Sequence, residues 1–343
     1  MSSSMQKFEI HGVDGVQILE QLNNYLKGEL VEQWGEHILQ FNNELGNGII
    51  RSIAFDWGVT LVDYDVHFLK DTKILFNIKD ANPIEFIFIS EGKLEYKNSE
   101  EEELFSFNRY QNIIISTKKL SKETYVFPKN AAVKVNFIYV LPNEYMKKKN
   151  NNISHLGKSL FSVFNGESDS SLYKHLGNYN LKIADLIKQL QESHNSGIVR
   201  TLSIEGQLNL IMAMQMLEHY NHENDLGLPE SLCKEDIKKI HKLSGYIIDN
   251  ISEPLSVNSI ATRAGISPKK LQLGFRVLYS KSVNEYIRQL KLEISRDYIK
   301  NTNDSISEIV YKIGFKSRSY FSKIFFERYG ILPAEYRKKN KSR

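Results

Sequence analysis

The sequence predicts an α+β chain of several domains: an N-terminal β-barrel or jelly roll, a helical segment, and an all-α C-terminal domain with two helix-turn-helix units in tandem. Three observations carry this. Residues 36–141 hold many short segments rich in Ile, Val, Phe and Tyr, separated by turn signals. Residues 181–217 change to helical spacing. From residue 256 onward the chain repeats itself at a nearly fixed offset. The boundaries drawn from these shifts are 1–150, 151–228 and 229–343, and a chain of 343 residues exceeds what one core usually supports.

The β reading rests on segments such as HILQF, GIIRSIAFDWG, KILFNI, PIEFIFISEGKLEY, QNIIIST and VKVNFIYVLP. Several alternate apolar with polar residues, the period of a half-buried strand. Gly46-Asn47-Gly48, Asn82-Pro83, Glu91-Gly92 and Pro128-Lys129-Asn130 punctuate them as turns. Aromatic residues on these strands (Phe55, Trp57, Phe76, Phe86, Phe88, Tyr96, Phe105, Phe107) suit either a packed core or the lining of a pocket.

Helical spacing begins near Ser168 and runs to Glu223. Leu181, Ala184, Ile187 and Leu190 stand three residues apart; after Asn195-Ser196-Gly197, Leu202, Leu208, Ile211, Met212, Gln215, Met216 and Leu217 form a broad stripe. That stripe fits an internal core and a seam between two copies of the chain equally well. Residues 221–231 (NHENDLGLPES) read as a linker.

The C-terminal repeat is the most informative feature. Ser256 precedes Val257, Ile260 and Ala261, with a turn at Gly265-Ile266; 49 residues later Ser305 precedes Ile306, Ile309 and Val310, with a turn at Gly314-Phe315. The second turn holds one extra residue. Thereafter Ser267 matches Ser317, Leu271 matches Phe321, Phe275 matches Phe325, Tyr279 matches Tyr329 and Tyr286 matches Tyr336. Serines cap helix N-termini, the apolar spacing makes a short amphipathic helix, and glycine lets the chain leave it sharply. Serine caps the next helix, and Pro268 suits its first turn. Between the copies, Val283 to Lys300 reads as one long helix striped by Tyr286, Ile287, Leu290, Ile294 and Tyr298. Held rigid, it would set the two units about 34 Å apart, one turn of DNA.

With Leu271, Phe275, Phe321, Ile324 and Phe325 turned to the core, Lys269, Lys270, Gln272, Leu273 and Arg276 are left outside in the first unit, and Arg318, Ser319, Ser322 and Lys323 in the second. Lys and Arg neutralise phosphates and read guanine edges, Gln reads adenine, and Ser tolerates several bases. Phosphate contacts are expected from Ser267, Lys270, Arg276, Lys316 and Ser317.

Charge agrees. Residues 236–343 carry 22 Lys and Arg against 10 Asp and Glu, a net +12, while the rest carries −8. A basic domain beside an acidic remainder points to a polyanion held by one domain only. The terminal KKNKSR is also what a solvated basic tail looks like, but it contributes only four of those charges.

Other classes find little support. One cysteine, Cys233, excludes a disulfide framework and a Cys-based zinc site. It is also too few for a DNA-repair methyltransferase built on this architecture. His37 and His67, without a His-x-His, are a poor start for a cupin-type metal enzyme. No P-loop, GxSxG or dinucleotide fingerprint occurs. No metal, cofactor or catalytic residue is therefore expected. The N-terminal residues lack the apolar run of a signal peptide, and the longest apolar stretches are too short to span a bilayer, so a cytoplasmic protein without membrane contact is expected.

Residues 236–338 strongly resemble the AraC/XylS family of transcription regulators, most closely over SISEIVYKIGFKSRSYFSKIFFERYGILPAEYR (305–337). Ile309, Gly314-Phe315, Ser317, Tyr320-Phe321, Phe325, Gly330, Pro333, Tyr336 and Arg337 stand where the family signature expects them. The first copy is looser: Ser280 replaces a customary glycine, and Leu273-Gly274 stands where a polar or basic residue is common. The resemblance implies base contacts from Lys269, Gln272, Leu273, Arg318, Ser319, Ser322 and Lys323 on double-stranded promoter DNA. It implies an N-terminal cupin-like β-barrel for an effector and a homodimer through helices 181–222. The expected function is a sequence-specific regulator, an activator by preference, with RNA polymerase and an unidentified small molecule as further partners. The rival reading is a constitutive architectural DNA-binding protein whose β domain only assembles the chain.

Overall fold

The computed structural model describes residues 5–341 apart from 79–81, 102, 118–120, 149–152, 154–155, 167–171, 180, 192–195, 225–230 and 280. Most of the linker read at 221–231, part of the 195–197 turn, and Ser280 therefore lie outside the described residues. The chain divides into two units, Met1–Leu226 and Gly227–Arg343. Among the described residues no helix is long and apolar enough to cross a membrane.

The first unit opens with β1 (Gln6–His11) and α1 (Gly15–Leu26). Asp14 caps α1 by accepting from Gln17 N, and Ile18, Leu19, Leu22 and Leu26 turn inward at helical spacing. Strands follow: β2 (Glu29–Gln33), β3 (Glu36–Asn43), β4 (Gly46–Phe55), β5 (Val59–Phe68), β6 (Thr72–Ile78), β7 (Ile84–Glu91), β8 (Leu94–Asn98), β9 (Phe105–Phe107), β10 (Gln111–Thr117), β11 (Ser121–Phe127) and β12 (Ala132–Val140). Next come α2 (Pro142–Tyr145), α3 (Lys158–Phe164), β13 (Leu172–Tyr179), α4 (Leu181–Gln191) and α5 (Gly197–Asn224).

The strands form two sheets, ordered β1-β6-β11-β8-β9 and β13-β10-β7-β12-β5-β4-β3-β2. Neither list returns to its first strand, so the closed cupin-like barrel expected from the sequence is corrected to a β-rich unit of two open sheets. The physical reason lies at the edges: β13 and β2 end the large sheet, and β1 and β9 end the small one. A second correction concerns Leu172–Tyr179. Read as the start of the helical segment, it is a strand paired antiparallel with β10 from Gln111↔Tyr179 to Thr117↔Leu172.

Alternation sorts the side chains. Val62, Tyr64, Ile87, Ile89, Tyr96, Ile113, Tyr125, Phe137 and Tyr139 belong to one apolar core between the sheets, joined there by Ile18, Leu19 and Leu22 of α1. Phe86 and Phe88 are buried too, but by strand parity they face the opposite side of β7, the strand against which α4 packs. Phe55 and Trp57 pack at a tilt at the β4–β5 turn, where Trp57 meets Tyr145.

The helical stripe of α5 splits into two faces. Ile204, Leu208, Ile211, Met212 and Gln215 are buried within the unit. Gln215 Nε2 donates to Asn112 Oδ1 at 2.7 Å, and Asn112 Nδ2 donates to Glu218. At its start α5 is tied to the sheet by Arg200, whose Nη2 lies 3.0 Å from Glu36 Oε2; Glu36 also faces Arg51, and Arg51 pairs with Asp63. Val199, Leu202, Leu210 and Leu217 point away from all this and are exposed.

One end of the inter-sheet core is polar. Glu85 and Glu123 are fully buried there, and Tyr125 Oη donates to Glu85 Oε2 at 2.6 Å. Burial pushes both carboxyls above their ordinary value near 4.5, Glu85 further because of the negative field of Glu123. A carboxyl raised in the fold stabilises below its unfolded value and loses that contribution as pH rises through its folded value. The first unit should therefore lose stability from about pH 4.5 upward. Glu85→Gln and Glu123→Gln should each flatten that slope and stabilise the unit by about 1–3 kcal/mol near neutrality. Urea unfolding followed between about pH 4.5 and 8 checks this; a stabilisation equal at both ends would contradict it.

Candidate nucleic-acid interface

The second unit consists of α6 (Lys234–Asp249), α7 (Val257–Ala264), α8 (Pro268–Tyr279), α9 (Val283–Asn301), α10 (Ile306–Lys312), α11 (Arg318–Tyr329) and α12 (Pro333–Lys341). The helix starts follow from their caps. Ser256 Oγ accepts from Ser259 N at 3.0 Å, and Ser305 Oγ from Glu308 N at 3.2 Å. Ser282 and Ser305 each close a capping box, with Glu285 and Glu308 reaching back to the serine N–H. These backbone and hydroxyl donors hold both glutamates below the usual carboxylate range.

The two short pairs, α7–α8 and α10–α11, turn in the same way. Ile266 N donates to Ala261 O and Phe315 N to Val310 O, while Gly265 N and Gly314 N donate to Thr262 O and Tyr311 O. Both glycines adopt left-handed φ, 62° and 73°. The repeat extends into the packing. Phe275 packs at a tilt on Tyr279 and edge-on against Tyr286, with ring centres 5.1 and 5.2 Å away; Phe325 does the same with Tyr329 and Tyr336 at 4.6 and 5.8 Å. Helix α9 touches α8, α10 and α12, so one rod braces both pairs.

Leu271, Phe275, Phe321, Ile324 and Phe325 are buried, as their spacing predicts. On the outer faces the structure exposes Lys269, Arg276, Lys316, Arg318, Ser319 and Lys323, and half-exposes Lys270, Gln272, Leu273 and Ser322. Ser267 and Ser317 lie at the starts of α8 and α11, where their hydroxyls accept from Lys270 N and Tyr320 N, both at 3.2 Å. The second helices thus present α8 residues 269, 270, 272, 273 and 276 and α11 residues 318, 319, 322 and 323 outside their two cores.

The two faces differ in what already holds them. Gln272 Oε1 accepts from Val283 N at 3.2 Å, fastening the start of α9. Lys270 Nζ donates to Asp236 Oδ2 at 2.7 Å, and that hydrogen bond pulls the Asp236 carboxyl down to about 2. Gly274 is the close-approach point of α8 on α6, since a Cβ there would lie 2.1 Å from Ile240 Cδ1. On α11, Arg318 Nη1 reaches Ser307 Oγ at 3.3 Å and Lys323 faces Glu327 at 3.9 Å, both at the surface. Sequence reasoning passed over Asp236 and the Gln272 brace, which no local pattern marks. It also passed over the two Ser-x-x-Glu boxes at 282–285 and 305–308, which do carry a local signal.

Comparison with known proteins places this unit among others. A helix-turn-helix domain family model matches residues 260–339. The regulatory protein SoxS of Escherichia coli is 30% identical over 100 residues, covering 29% of this chain and 94% of SoxS. The HTH-type transcriptional regulator MtrA of Neisseria gonorrhoeae is 23% identical over 154 residues, 45% of this chain; the chain spans only about half, 51%, of that relative's length. Among solved structures, a transcriptional regulator of AraC type from Chromobacterium violaceum shares 29% identity, covering 30% of this chain and 92% of its own, with a TM-score of 0.29.

Proposed function

Because the chain belongs to the AraC/XylS family of transcription regulators, we propose that its second unit reads promoter DNA with two helix-turn-helix units in tandem. The observation that carries this is the pair of register-matched helix pairs, with the same glycine turn and the same edge-on Phe-Tyr-Tyr cluster, braced by α9 in a segment of net charge +12. In this reading α8 and α11 each enter a major groove. Lys269, Gln272, Leu273, Arg318, Ser319, Ser322 and Lys323 face bases, and Ser267, Lys270, Arg276, Lys316 and Ser317 face phosphates. The two do unequal work. Gln272 and Lys270 already have partners inside the unit, which favours α11 as the sequence reader and α8 as the anchor.

Binding-site selection from random duplexes, followed by titration of variants, tests these roles. Arg318→Ala should cost about 1–3 kcal/mol at one base-pair position and relax preference there. Lys270→Ala should weaken all duplexes alike, and only modestly, because Lys270 gives up Asp236 to meet a phosphate. Equal losses on selected and random DNA for both variants would remove the distinction.

The reading extends to the first unit. Val199, Leu202, Gly206, Leu210, Ala213 and Leu217 recur at three- and four-residue steps on the exposed face of α5, the spacing of a helix–helix seam, which supports a homodimer. The two-sheet unit is the sensor of the proposal: an effector held between its sheets changes how the reading helices are presented, and the bound protein activates transcription through RNA polymerase. The polar end of the inter-sheet core supports a sensor over a scaffold that only assembles the chain, since assembly needs no buried pair of acids.

A further inference from the structure

The polar end of the inter-sheet core is chemically unusual. Glu85 on β7 and Glu123 on β11 meet within a ring of Tyr64, Tyr96, Tyr125 and Tyr139, which come from β5, β8, β11 and β12; all six side chains are at most 3% exposed. Tyr125 Oη donates to Glu85, and Tyr96 Oη lies 3.4 Å from Glu123 Oε1. Glu123 Oε2 and Tyr64 Oη are buried without a hydrogen-bond partner. Buried polar atoms are almost always paired, and an orphan calls for a ligand, an ion or water.

The charge is equally one-sided. Among the described residues, no Lys or Arg of the first unit is fully buried. The buried acids that do hold an ion pair there, Glu36 and Asp63, take it from Arg51 and Arg200. Ionising either buried carboxyl with no cation beside it costs several kcal/mol, so the pair favours its neutral, mutually hydrogen-bonded form until a cation compensates it. Nor is a metal favoured: among the described residues, no three His, Cys, Asp or Glu side chains are gathered to hold one. The rings supply the rest. Tyr125 sits 5.1 Å from Tyr96, 5.0 Å from Phe137 and 5.9 Å from Phe76, so this end of the core is walled by aromatic rings, whose faces attract cations.

We propose that this end of the inter-sheet core recognises a small organic ammonium ion, held by Glu85 and Glu123 inside the ring of Tyr64, Tyr96, Tyr125 and Tyr139. The inference rests on the sensor reading above and gives it a ligand class. An ammonium group donates to Glu123 Oε2 and Tyr64 Oη and supplies the positive charge that ionisation of the acid pair requires, which a neutral diol does not. Burial raises both carboxyls, so a cation taken up beside them favours their ionised form and releases a proton to solvent; the ammonium keeps its own protons. Glu85 lies on β7, which α4 contacts and whose other face carries the buried Phe86 and Phe88, so the bound ligand sits one strand from that helix.

The test uses the full chain at about pH 7.5 with butylammonium, phenethylammonium and tetramethylammonium chlorides, and with 1-butanol and 2-phenylethanol as neutral matches. At least one ammonium ion should raise the melting temperature by several degrees at saturation, and the alcohols should not. Calorimetry in two buffers of different ionisation heat should report about one proton released per ligand bound. Glu85→Gln and Glu123→Gln, which should fold at least as stably, should weaken binding tenfold or more and abolish the proton release. No shift with any of the three ions, an equal shift with the alcohols, or variants that respond like the parent would overturn the proposal. DNA affinity measured in the same samples separates the two claims. An ammonium ion that binds without changing DNA affinity leaves the site standing and removes effector control. A neutral metabolite that changes DNA affinity, with no ammonium ion bound, does the reverse.

Discussion

Gly314→Ala is expected to destabilise the second unit by about 2–5 kcal/mol, while Gly265→Ala, at the equivalent turn, costs only about 1–2 kcal/mol. Both glycines sit at left-handed φ, so both substitutions carry the backbone penalty of a Cβ there. Their surroundings differ. A Cβ on Gly265 meets nothing within 4 Å, whereas one on Gly314 would lie 2.5 Å from the carbonyl oxygen of Ser252 and 2.8 Å from Lys291 Nζ. Neither neighbour yields easily. The Ser252 carbonyl belongs to the backbone leading into α7, and Lys291 Nζ donates to Gly314 O at 3.0 Å. The second turn is thus also a point where the first half of the unit touches the second. Urea unfolding checks the contrast as a change in midpoint at constant slope. Equal losses would mean that the close approach at Gly314 carries no energy.

Leu202→Lys combined with Leu210→Lys is expected to convert a dimer of the full chain into monomers, weakening self-association by about a thousandfold or more. Each dimer would bring four lysines to a seam that the proposal makes apolar, and like charges facing one another cost several kcal/mol. The same changes should leave the first unit folded, since the two leucines are 60% and 49% exposed while Ile204, Leu208 and Ile211, on the other face of α5, are buried. Light scattering at micromolar concentration reads the outcome. A parent chain that is already monomeric, or a double variant that remains dimeric, would remove the seam.

How much was legible follows from how local each determinant is. The repeat was readable because its serine caps and turn glycines act within about ten residues, and the structure puts each where its spacing implied; that the matched Phe and Tyr rings meet edge-on came from the packing. Helix α1 carried an equally local signal, an Asp14 cap before Ile18, Leu19, Leu22 and Leu26, ahead of the β-rich region that dominates the reading. Strand β13 did not: LYKHLGNY becomes a strand through its pairing with β10, a partner about sixty residues earlier. Helix α5 resisted reading because it is apolar on two faces, one packed inside the unit and one exposed, so a single stripe could not describe it.

At the candidate interface, the residue types on α8 and α11 were legible and their engagement was not. Gln272 becomes a brace for α9 only because Val283 N arrives beside it, and Lys270 becomes a partner of Asp236 only because α6 packs on α8 at Gly274. Glu85 and Glu123 were hidden for the same reason. Near strand ends, a glutamate reads as solvated until the opposing sheet covers it.

The central claim is that one chain reads DNA with two matched helix-turn-helix units. Hydroxyl-radical footprinting of the full chain on a duplex selected from a random pool tests it most directly. The account predicts two protected segments on one face, their centres about 10–10.5 base pairs apart per reading chain. Arg318→Ala should weaken only the segment that α11 covers. A single protected major-groove segment per chain would contradict it.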